Sequence, residues 1–258
     1  MTAFLPRVAI PVALPLALIV LWQMLAMAFG GIRTPRPDHV VTEAIVLFAS
    51  GDLPMAMIQS LVRVFSGFAV AAALGIPLGM LMGTVRAAER NLDPLVESFR
   101  PIAAIALLPM AILWLGTGTP AAVMLVAYAA FFPIVINTIA GAKSVDRNLI
   151  LAAATMGLSR AAILRTVILP GATPQIAVGL RIGLGVAWTA IVAAELAVGA
   201  KSGGGGSGGI GQMMFVFFAY SIELNRIVVC MAAVGVVSLV LDWAVRALTG
   251  RILKWKQP

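Results

Sequence analysis

The sequence predicts an all-α protein that crosses a membrane with about six helices and forms a single domain over its 258 residues. Hydrophobic residues make up 61% of the chain and charged residues 11%, whereas a water-soluble domain carries about 25% charged residues. Several apolar runs reach about 20 residues, the length at which a helix crosses the hydrocarbon core. Helices are predicted because a backbone in lipid must satisfy its own hydrogen bonds.

Six apolar runs supply the predicted spans. The first follows Arg7 and lacks a small-residue cleavage site, so we interpret it as a retained span rather than a signal peptide. Residues 30–54 form a polar loop after it, and Pro109 interrupts the short third run. The predicted spans are residues 8–29, 57–85, 101–115, 121–142, 176–199 and 227–248.

The distribution of basic residues predicts the orientation of these spans. If both termini are cytoplasmic, the cytoplasmic segments hold 12 of the 18 basic residues and the opposite segments hold four. Such an excess marks cytoplasmic loops. The cytoplasmic set is Arg7, Arg86, Arg90, Arg100, Lys143, Arg147, Arg160, Arg165, Arg246, Arg251, Lys254 and Lys256. The opposite set is Arg33, Arg36, Lys201 and Arg226.

Small residues recur at every fourth position in two spans. They are Gly67, Ala71, Gly75, Gly79 and Gly83 in span two, and Gly179, Gly183 and Ala187 in span five. This spacing places them on one helix face and lets a neighbouring helix approach closely. We predict helix packing for span two. For span five, packing and a functional role both stay open, because the same spacing continues to Glu195.

Three ionisable side chains within the spans are candidates for a substrate pathway: Arg63, Arg181 and Glu195. A charge inside a membrane costs a few kcal/mol or more, so it faces a cavity, a partner or the headgroups. Arg181 and Glu195 lie about 21 Å apart along a helix and are predicted not to pair with each other. Snorkelling to the interface is the alternative for both arginines, and ordering the outer loop is the alternative for Glu195.

Glycine dominates residues 201–211, KSGGGGSGGIG. A phosphate-binding Walker A loop is excluded, because the lysine precedes the glycines and no strand leads into them. Residues 203–209 are predicted to form a flexible linker. The apolar and aromatic residues 210–224 that follow are predicted to form an interfacial or re-entrant helix at the outer mouth.

Several other functions find no support in the sequence. The net charge of +8 is dispersed, so we predict no nucleic-acid binding. Cys230 is the only cysteine, and the chain shows no cluster of histidine, cysteine and carboxylate residues, so we predict no disulfide and no metal site. We predict no catalytic residues, because no paired acid and base is evident.

Residues 146–170, which we call the elbow segment, form the least hydrophobic long run between two apolar blocks. Asp146 is predicted to cap a first short helix that ends at Gly157. Ser159 is predicted to cap a second one, which carries Arg160 and must end before Pro170. Two short helices joined at a glycine form a rigid projection that a partner on that side of the membrane can move.

The elbow segment resembles the EAA loop of the ABC importer permeases, in which E-A-A is followed by a glycine and then by I-x-L-P. The matching residues are Ala152, Ala153, Gly157, Val167, Leu169 and Pro170, and Leu151 takes the place of the glutamate. The sequence from Val167 to Glu195 is similar to the taurine, aliphatic-sulfonate and nitrate permeases, and most similar to the taurine permeases. The likeness extends from about residue 60 to the C-terminus.

This resemblance implies a type I ABC importer permease fold in a bacterial inner membrane, with both termini in the cytoplasm. It implies that the elbow segment docks on an ATPase, with Leu151, Ala152, Ala153, Gly157, Leu158, Ser159 and Arg160 at the contact. The implied partners are a second permease copy, two ABC ATPase subunits, a periplasmic or lipid-anchored substrate-binding protein and membrane lipid. The chain itself is expected to bind no cofactor, because ATP and Mg²⁺ bind the ATPase subunits.

The substrate implied by the resemblance is a small organic or inorganic anion, with taurine or another sulfonate favoured. A nitrate- or bicarbonate-type importer is the alternative within the family. A passive channel or a membrane scaffold is the alternative from another class. A channel requires a ring of charged side chains or a carbonyl filter, and neither is evident in the sequence.

Overall fold

A computed structural model of the chain describes residues 5–28, 34–201 and 208–252, and these residues form helices and short connections without a β-strand. Two π-helical turns, Leu164–Ile168 and Phe217–Ser221, continue directly from α-helices, and a 3₁₀ helix covers Ala104–Leu107. The α-helices are α1 (Leu5–Ala28), α2 (Pro37–Ala49), α3 (Asp52–Thr84), α4 (Arg86–Phe99), α5 (Leu108–Leu115), α6 (Thr119–Lys143), α7 (Arg147–Thr155), α8 (Arg160–Ile163), α9 (Leu169–Lys201), α10 (Ile210–Val216) and α11 (Leu224–Ile252).

Helix α6 lies at the centre, with α3 on one side and α9 on the other. The small residues of α3 face α6 so closely that a Cβ at Gly79 would lie 2.6 Å from Thr138 Cβ. A Cβ at Gly179 on α9 would likewise lie 2.7 Å from Asn137 Cβ. The packing predicted for span two is therefore confirmed. The small residues of span five also pack against α6, so helix packing is confirmed for them. A functional role for this face stays open.

The described residues include four helices long and apolar enough to cross a membrane, α3, α6, the helix from Arg160 to Val198, and α11. A fifth span arises if α4 and residues 104–115 are counted together as one span that bends by 86°. The part of α1 from Ala17 to Ala28 is also apolar. The total of six spans stays a prediction.

Two helices were missed by the sequence analysis. Residues 30–54 were predicted to form a loop, but α2 occupies residues 37–49 and packs its buried Leu47 near Val229 and Cys230 of α11. Helix α4 was missed because it is amphipathic. Its polar face lowers the hydrophobicity of the whole segment, while its apolar face buries Val96 against Phe132. Both helices are too short and too polar to register as spans in a search for long apolar runs.

Different connecting segments lie at the two ends of the helix bundle. The elbow segment joins α6 to α9 at one end, which we call the elbow end. The C-terminal end of α9 and residues 208–209 lie at the opposite end. Residues 210–221 are helical, as predicted, and the first residues of α10 are buried against α9. Their position relative to a membrane surface stays a prediction.

Candidate functional site

The elbow segment is held by two side-chain caps. Asp146 Oδ1 accepts a hydrogen bond of 2.8 Å from the backbone N–H of Asn148 at the start of α7. Ser159 Oγ accepts one of 3.3 Å from the N–H of Ala162 at the start of α8. Both predicted caps are confirmed. Each satisfies an N–H group that a helix start leaves without an intrahelical partner.

Gly157 makes the turn between α7 and α8. Its φ angle is +79°, in the left-handed region that glycine adopts without a steric cost. The N–H of Leu158 donates to Ala153 O at 3.2 Å, the long bond of a Schellman turn. A Cβ added at Gly157 would meet no atom within 4 Å. The backbone angle, rather than a lack of space, therefore requires glycine here.

The second helix of the elbow segment does not end before Pro170, so this prediction was wrong. Residues 164–168 form a π-turn, in which the N–H of Leu169 donates to Leu164 O, and α9 follows without a break. Pro170 lies two residues after this π-turn, within the continuous helix. The helix runs from Arg160 to Val198, and the elbow segment is continuous with a spanning helix.

The seven residues predicted to contact an ATPase do not share one environment. Ala153 is buried beside Ala142 and Ile163, and Leu158 is half-buried against the same cluster. These two residues attach the elbow segment to the bundle. Five residues reach the surface, where they form the outer face of the elbow: Leu151, Ala152, Gly157, Ser159 and Arg160.

Two apolar residues on that face were missed by the sequence analysis. Met156 is 79% exposed and Leu149 is 58% exposed, and Leu151, which points to another side of α7, is 52% exposed. The flanking residues Arg147, Arg160 and Arg165 are also exposed. The exposed surface of the elbow therefore carries both apolar side chains and arginines, and Leu149 and Met156, seven residues apart, share one side of it. The signal was available in the sequence, since Leu149 and Met156 flank the matched alanines, but an isolated apolar residue is ordinary in a membrane protein.

A buried ion pair lies near the opposite end of the bundle. Arg63 Nη1 on α3 contacts Glu195 Oε1 on α9 at 2.6 Å, and their side chains are 5% and 2% exposed. Arg63 Nε also donates to Thr119 Oγ1 at 3.2 Å. The interpretation that Arg63 snorkels was wrong, because its guanidinium is buried against Glu195 and does not extend to a surface. Ordering of the outer loop was the alternative for Glu195, and the contacts of its carboxylate agree with it.

The ion pair holds the end of the glycine-rich connection. Arg63 Nη1 donates to Gly208 O at 2.7 Å, and the N–H of Gly211 donates to Glu195 Oε2 at 3.1 Å. Ser60 Oγ donates to Glu195 Oε2 at 2.7 Å and accepts from the N–H of Ile210 at 2.9 Å. We call Ser60, Arg63, Glu195 and the backbone of residues 208–211 the anchor cluster.

Part of the predicted flexible linker is held in place. Gly208 and Gly209 belong to the anchor cluster, so the prediction of flexibility was wrong for them, while residues 203–207 lie outside the described residues. Gly209 has a φ angle of +115°, and a Cβ there would collide with the Glu195 carboxylate. Glycine lets the chain pass directly over the buried carboxylate.

Arg181, the third candidate for a substrate pathway, lies apart from the anchor cluster. Its Nε donates to Asp242 Oδ1 of α11 at 2.8 Å, and Arg246 Nε donates to the other oxygen of Asp242 at 2.8 Å. The side chains of Arg181 and Asp242 are about 40% exposed. As predicted, Arg181 and Glu195 do not pair with each other. Each has its own partner on a different helix.

The fold and the elbow segment can be compared with known proteins. Residues 75–254 match the model of a family described as binding-protein-dependent transport system inner membrane component. This chain belongs to that family. It is therefore a multi-pass membrane protein and a permease subunit of the ABC importer type, rather than the catalytic part of such a system.

Individual relatives are similar over most of their length. A putative ABC transporter permease of Methanocaldococcus jannaschii is 35% identical over 97% of this chain and 93% of its own. The taurine transport system permease of Escherichia coli K12 is 35% identical over 86% and 79%. The nitrate import permease of a Synechocystis species is 33% identical over 98% and 92%.

A solved structure supports the fold. The chain is similar to a subunit of the methionine ABC transporter in an inward-facing conformation, with a TM-score of 0.63 over 78% of this chain and 95% of the other. The sequence identity is 20%, so this likeness concerns the fold alone. The type I ABC importer permease fold expected from the sequence is confirmed.

Proposed function

We propose that this permease imports a small anion with a sulfonate or similar oxyanion group, taurine being the favoured example. The relatives that support this include the permeases named for taurine and for nitrate. A nitrate- or bicarbonate-type substrate remains the second candidate, because the nitrate relative covers more of the chain than the taurine relative does.

The proposed assembly contains two copies of this chain, two ATPase subunits and a substrate-binding protein, with ATP and Mg²⁺ bound by the ATPases. Both termini and the elbow segment lie in the cytoplasm. The observation that carries the proposal is the surface of the elbow, where Leu149 and Met156 share one side and are 58% and 79% exposed, with the exposed Arg147, Arg160 and Arg165 in the same segment. Exposed apolar side chains on a segment outside the predicted spans favour contact with another protein.

ATP drives the transport cycle through its different affinities for two states of the assembly. A ligand shifts a conformational equilibrium only by the difference in its binding free energy between the two states. Closure of the ATPase pair around ATP moves the two elbow segments together. The buried contacts of Ala153 and Leu158 make each elbow move with its bundle.

Purification in a mild detergent, with the neighbouring transport components co-expressed, separates this proposal from a passive channel or a membrane scaffold. We expect an ATPase to co-purify with the chain and to be lost from a Met156→Asp variant, because a carboxylate there would be desolvated in the contact. An Asn91→Asp variant, at an exposed position on α4, is the matched control. A chain that purifies alone as an oligomer contradicts the proposal.

The substrate is tested in proteoliposomes that contain the whole assembly, with ATP on the ATPase side and the binding protein on the other. Uptake of labelled taurine, nitrate and bicarbonate is measured in parallel. We expect ATP-dependent uptake of taurine in preference to the two inorganic anions. Uptake of nitrate or bicarbonate alone would establish the second candidate instead.

A further inference from the structure

The bend between α4 and residues 104–115 lies partway along the central helix. Near the elbow end, Lys143 on the last turn of α6 pairs with Glu89 on the first turn of α4. Tyr128 Oη donates to Phe99 O, at the last residue of α4, with a distance of 2.6 Å. Tyr128 precedes Lys143 by about 22 Å along α6 and follows Thr119 by about 14 Å. The end of α4 is therefore inside the bundle's length and not at its elbow end.

This geometry places Arg100 inside the length of the bundle and not at the elbow end, where the sequence predicted it. Arg100 was counted with the basic residues on the cytoplasmic face, but it directly follows Phe99 at the bend. Its removal from that set leaves 11 basic residues against four, so the charge asymmetry persists. A charge at this depth costs several kcal/mol in lipid and lies in a cavity or against a polar partner.

Arg100 lines a cavity of about 540 Å³ between the bend, α6 and α9. Among the described residues that line it, Arg100 is the one charged side chain. The other polar side chains are Tyr128, Asn137 and Thr189, and the walls include Phe132 and Val186. The volume lies within the roughly 300–1,000 Å³ of small-molecule sites, and mostly apolar walls with a few polar groups are usual for them.

The guanidinium of Arg100 is loosely held. Its Nη1 contacts Glu97 Oε1 at 3.4 Å, and the two side chains are 55% and 58% exposed. By contrast, Arg63 contacts Glu195 at 2.6 Å and Arg181 contacts Asp242 at 2.8 Å. A guanidinium carries five N–H donors, so one long contact leaves most of the donors of Arg100 available to a ligand.

We propose that this cavity is the site within the membrane at which the transported anion pauses, and that Arg100 binds its oxyanion group. The inference rests on the proposed function and names the residue that performs it. A guanidinium matches the geometry of a sulfonate or another oxyanion with two parallel N–H donors. The apolar wall of α6 and α9 contacts the short organic part of the substrate.

Glu97 keeps this site weak enough for transport. A conducting site must bind its substrate enough to admit it and loosely enough to release it. The Glu97 carboxylate competes with the anion for Arg100, so the arginine exchanges one negative partner for another. Neither state leaves the guanidinium without a counter-charge. We therefore expect the site to be one of low affinity.

Transport by the whole assembly in proteoliposomes tests the role of Arg100. We expect Arg100→Gln to lower the uptake of taurine, or of nitrate if nitrate is transported, about tenfold or more. ATP hydrolysis stimulated by the binding protein should continue, because the elbow segment is untouched. Arg100→Lys should retain part of the uptake. Arg90→Gln, an exposed arginine on the same helix, is the matched control and should transport normally.

The outcomes separate this inference from the proposed function. Normal uptake by Arg100→Gln overturns the inference and leaves the proposed function intact. An unmodified assembly that transports neither taurine, nitrate nor bicarbonate overturns the proposed function itself. If the assembly transports none of these anions, the preference of the cavity for anions can still be tested by a measurement that needs no substrate.

That measurement uses a cysteine at Thr189, which lines the cavity, in a Cys230→Ala background. Anionic sulfonatoethyl and cationic trimethylammonium-ethyl methanethiosulfonate are compared as probes. We expect the anionic reagent to react faster, and the ratio of the two rates to fall about threefold or more in Arg100→Gln and to rise in Glu97→Gln. A Ser159→Cys control should show no dependence on Arg100. Failure of both reagents to react, or a ratio unaffected by Arg100, contradicts the inference.

Discussion

Arg63 Nη1 and Glu195 Oε1 lie 2.6 Å apart, although 132 residues separate them in the chain. The pair joins α3 to α9. Arg63 donates a hydrogen bond to Gly208 O, and Glu195 accepts one from the N–H of Gly211. Because both side chains are almost fully buried, each is the counter-charge without which the other would be costly. The contribution of the pair to the free energy of unfolding is therefore best measured by removing one charged side chain and then both.

We predict that Glu195→Ala destabilises the protein by about 3–5 kcal/mol, because it leaves the Arg63 guanidinium buried without a counter-charge. The double variant Arg63→Met with Glu195→Leu should recover much of this loss, since a buried ion pair can be replaced by apolar residues at little cost. Thermal unfolding in detergent, followed by tryptophan fluorescence, measures both. Glu223→Ala, at a more exposed ion pair, is the control and should change little. A double variant no more stable than Glu195→Ala would contradict the prediction.

Gly157 provides a prediction about the elbow turn. Gly157→Val places a β-branched residue at a φ angle of +79° and costs about 1–2 kcal/mol in backbone strain. The variant should reach the membrane normally but bind its ATPase weakly and lose ATP-driven uptake. Gly157→Asn is the matched variant, because asparagine tolerates this backbone region better. Membrane level, ATPase co-purification and uptake are measured together. Normal uptake by the valine variant with the ATPase bound would refute the proposed role of the turn.

Gly209 provides a prediction about the anchor cluster. Gly209→Ala puts a methyl group into the Glu195 carboxylate at a φ angle of +115°, so we expect the thermal midpoint to fall by several degrees. Gly235→Ala is the control, since a Cβ at that position on α11 meets no atom within 4 Å. Alanine also has the higher helix propensity by about 1 kcal/mol. The control should unfold at the same temperature or higher. Equal midpoints for the two variants would show that the anchor is loose.

The orientation of the chain is open to direct measurement. In a Cys230→Ala background, a cysteine at Ser159 should react with a membrane-impermeant thiol reagent only from the cytoplasm. A cysteine at Ser207 should react only from the opposite side. The basis is the excess of basic residues near the elbow end. The reverse labelling pattern would overturn the orientation and the assignment of the ATPase contact together.

Features that depend on local chemistry were predictable from the sequence. The caps at Asp146 and Ser159 and the turn at Gly157 follow from the preferences of single residues. The packing stripe of α3 follows from a four-residue repeat. Each of these rests on a few neighbouring residues, whose conformational preferences the spanning helices on either side reinforce.

Features that depend on distant partners were not predictable. Glu195 has its partner 132 residues away on α3, and no periodicity within one helix identifies such a pair. Pro170 was expected to end a helix, because the π-turn before it becomes visible only in three dimensions. Arg100 was predicted to be a loop residue at the membrane surface. The sequence alone does not show that the C-terminal end of α4 packs beside the middle of α6.

The π-turn has a mechanical consequence. Because the helix continues through it, the residues from Arg160 to Val198 form a single lever of 39 residues, about 58 Å long. The elbow turn is at one end of this lever, and Glu195 is within a turn of the other. A tilt of about 5° at the elbow displaces the far end by about 5 Å over this length. Because Glu195 is paired with Arg63 of α3 and accepts a hydrogen bond from the N–H of Gly211, we expect this displacement to carry the anchor cluster together with the bundle.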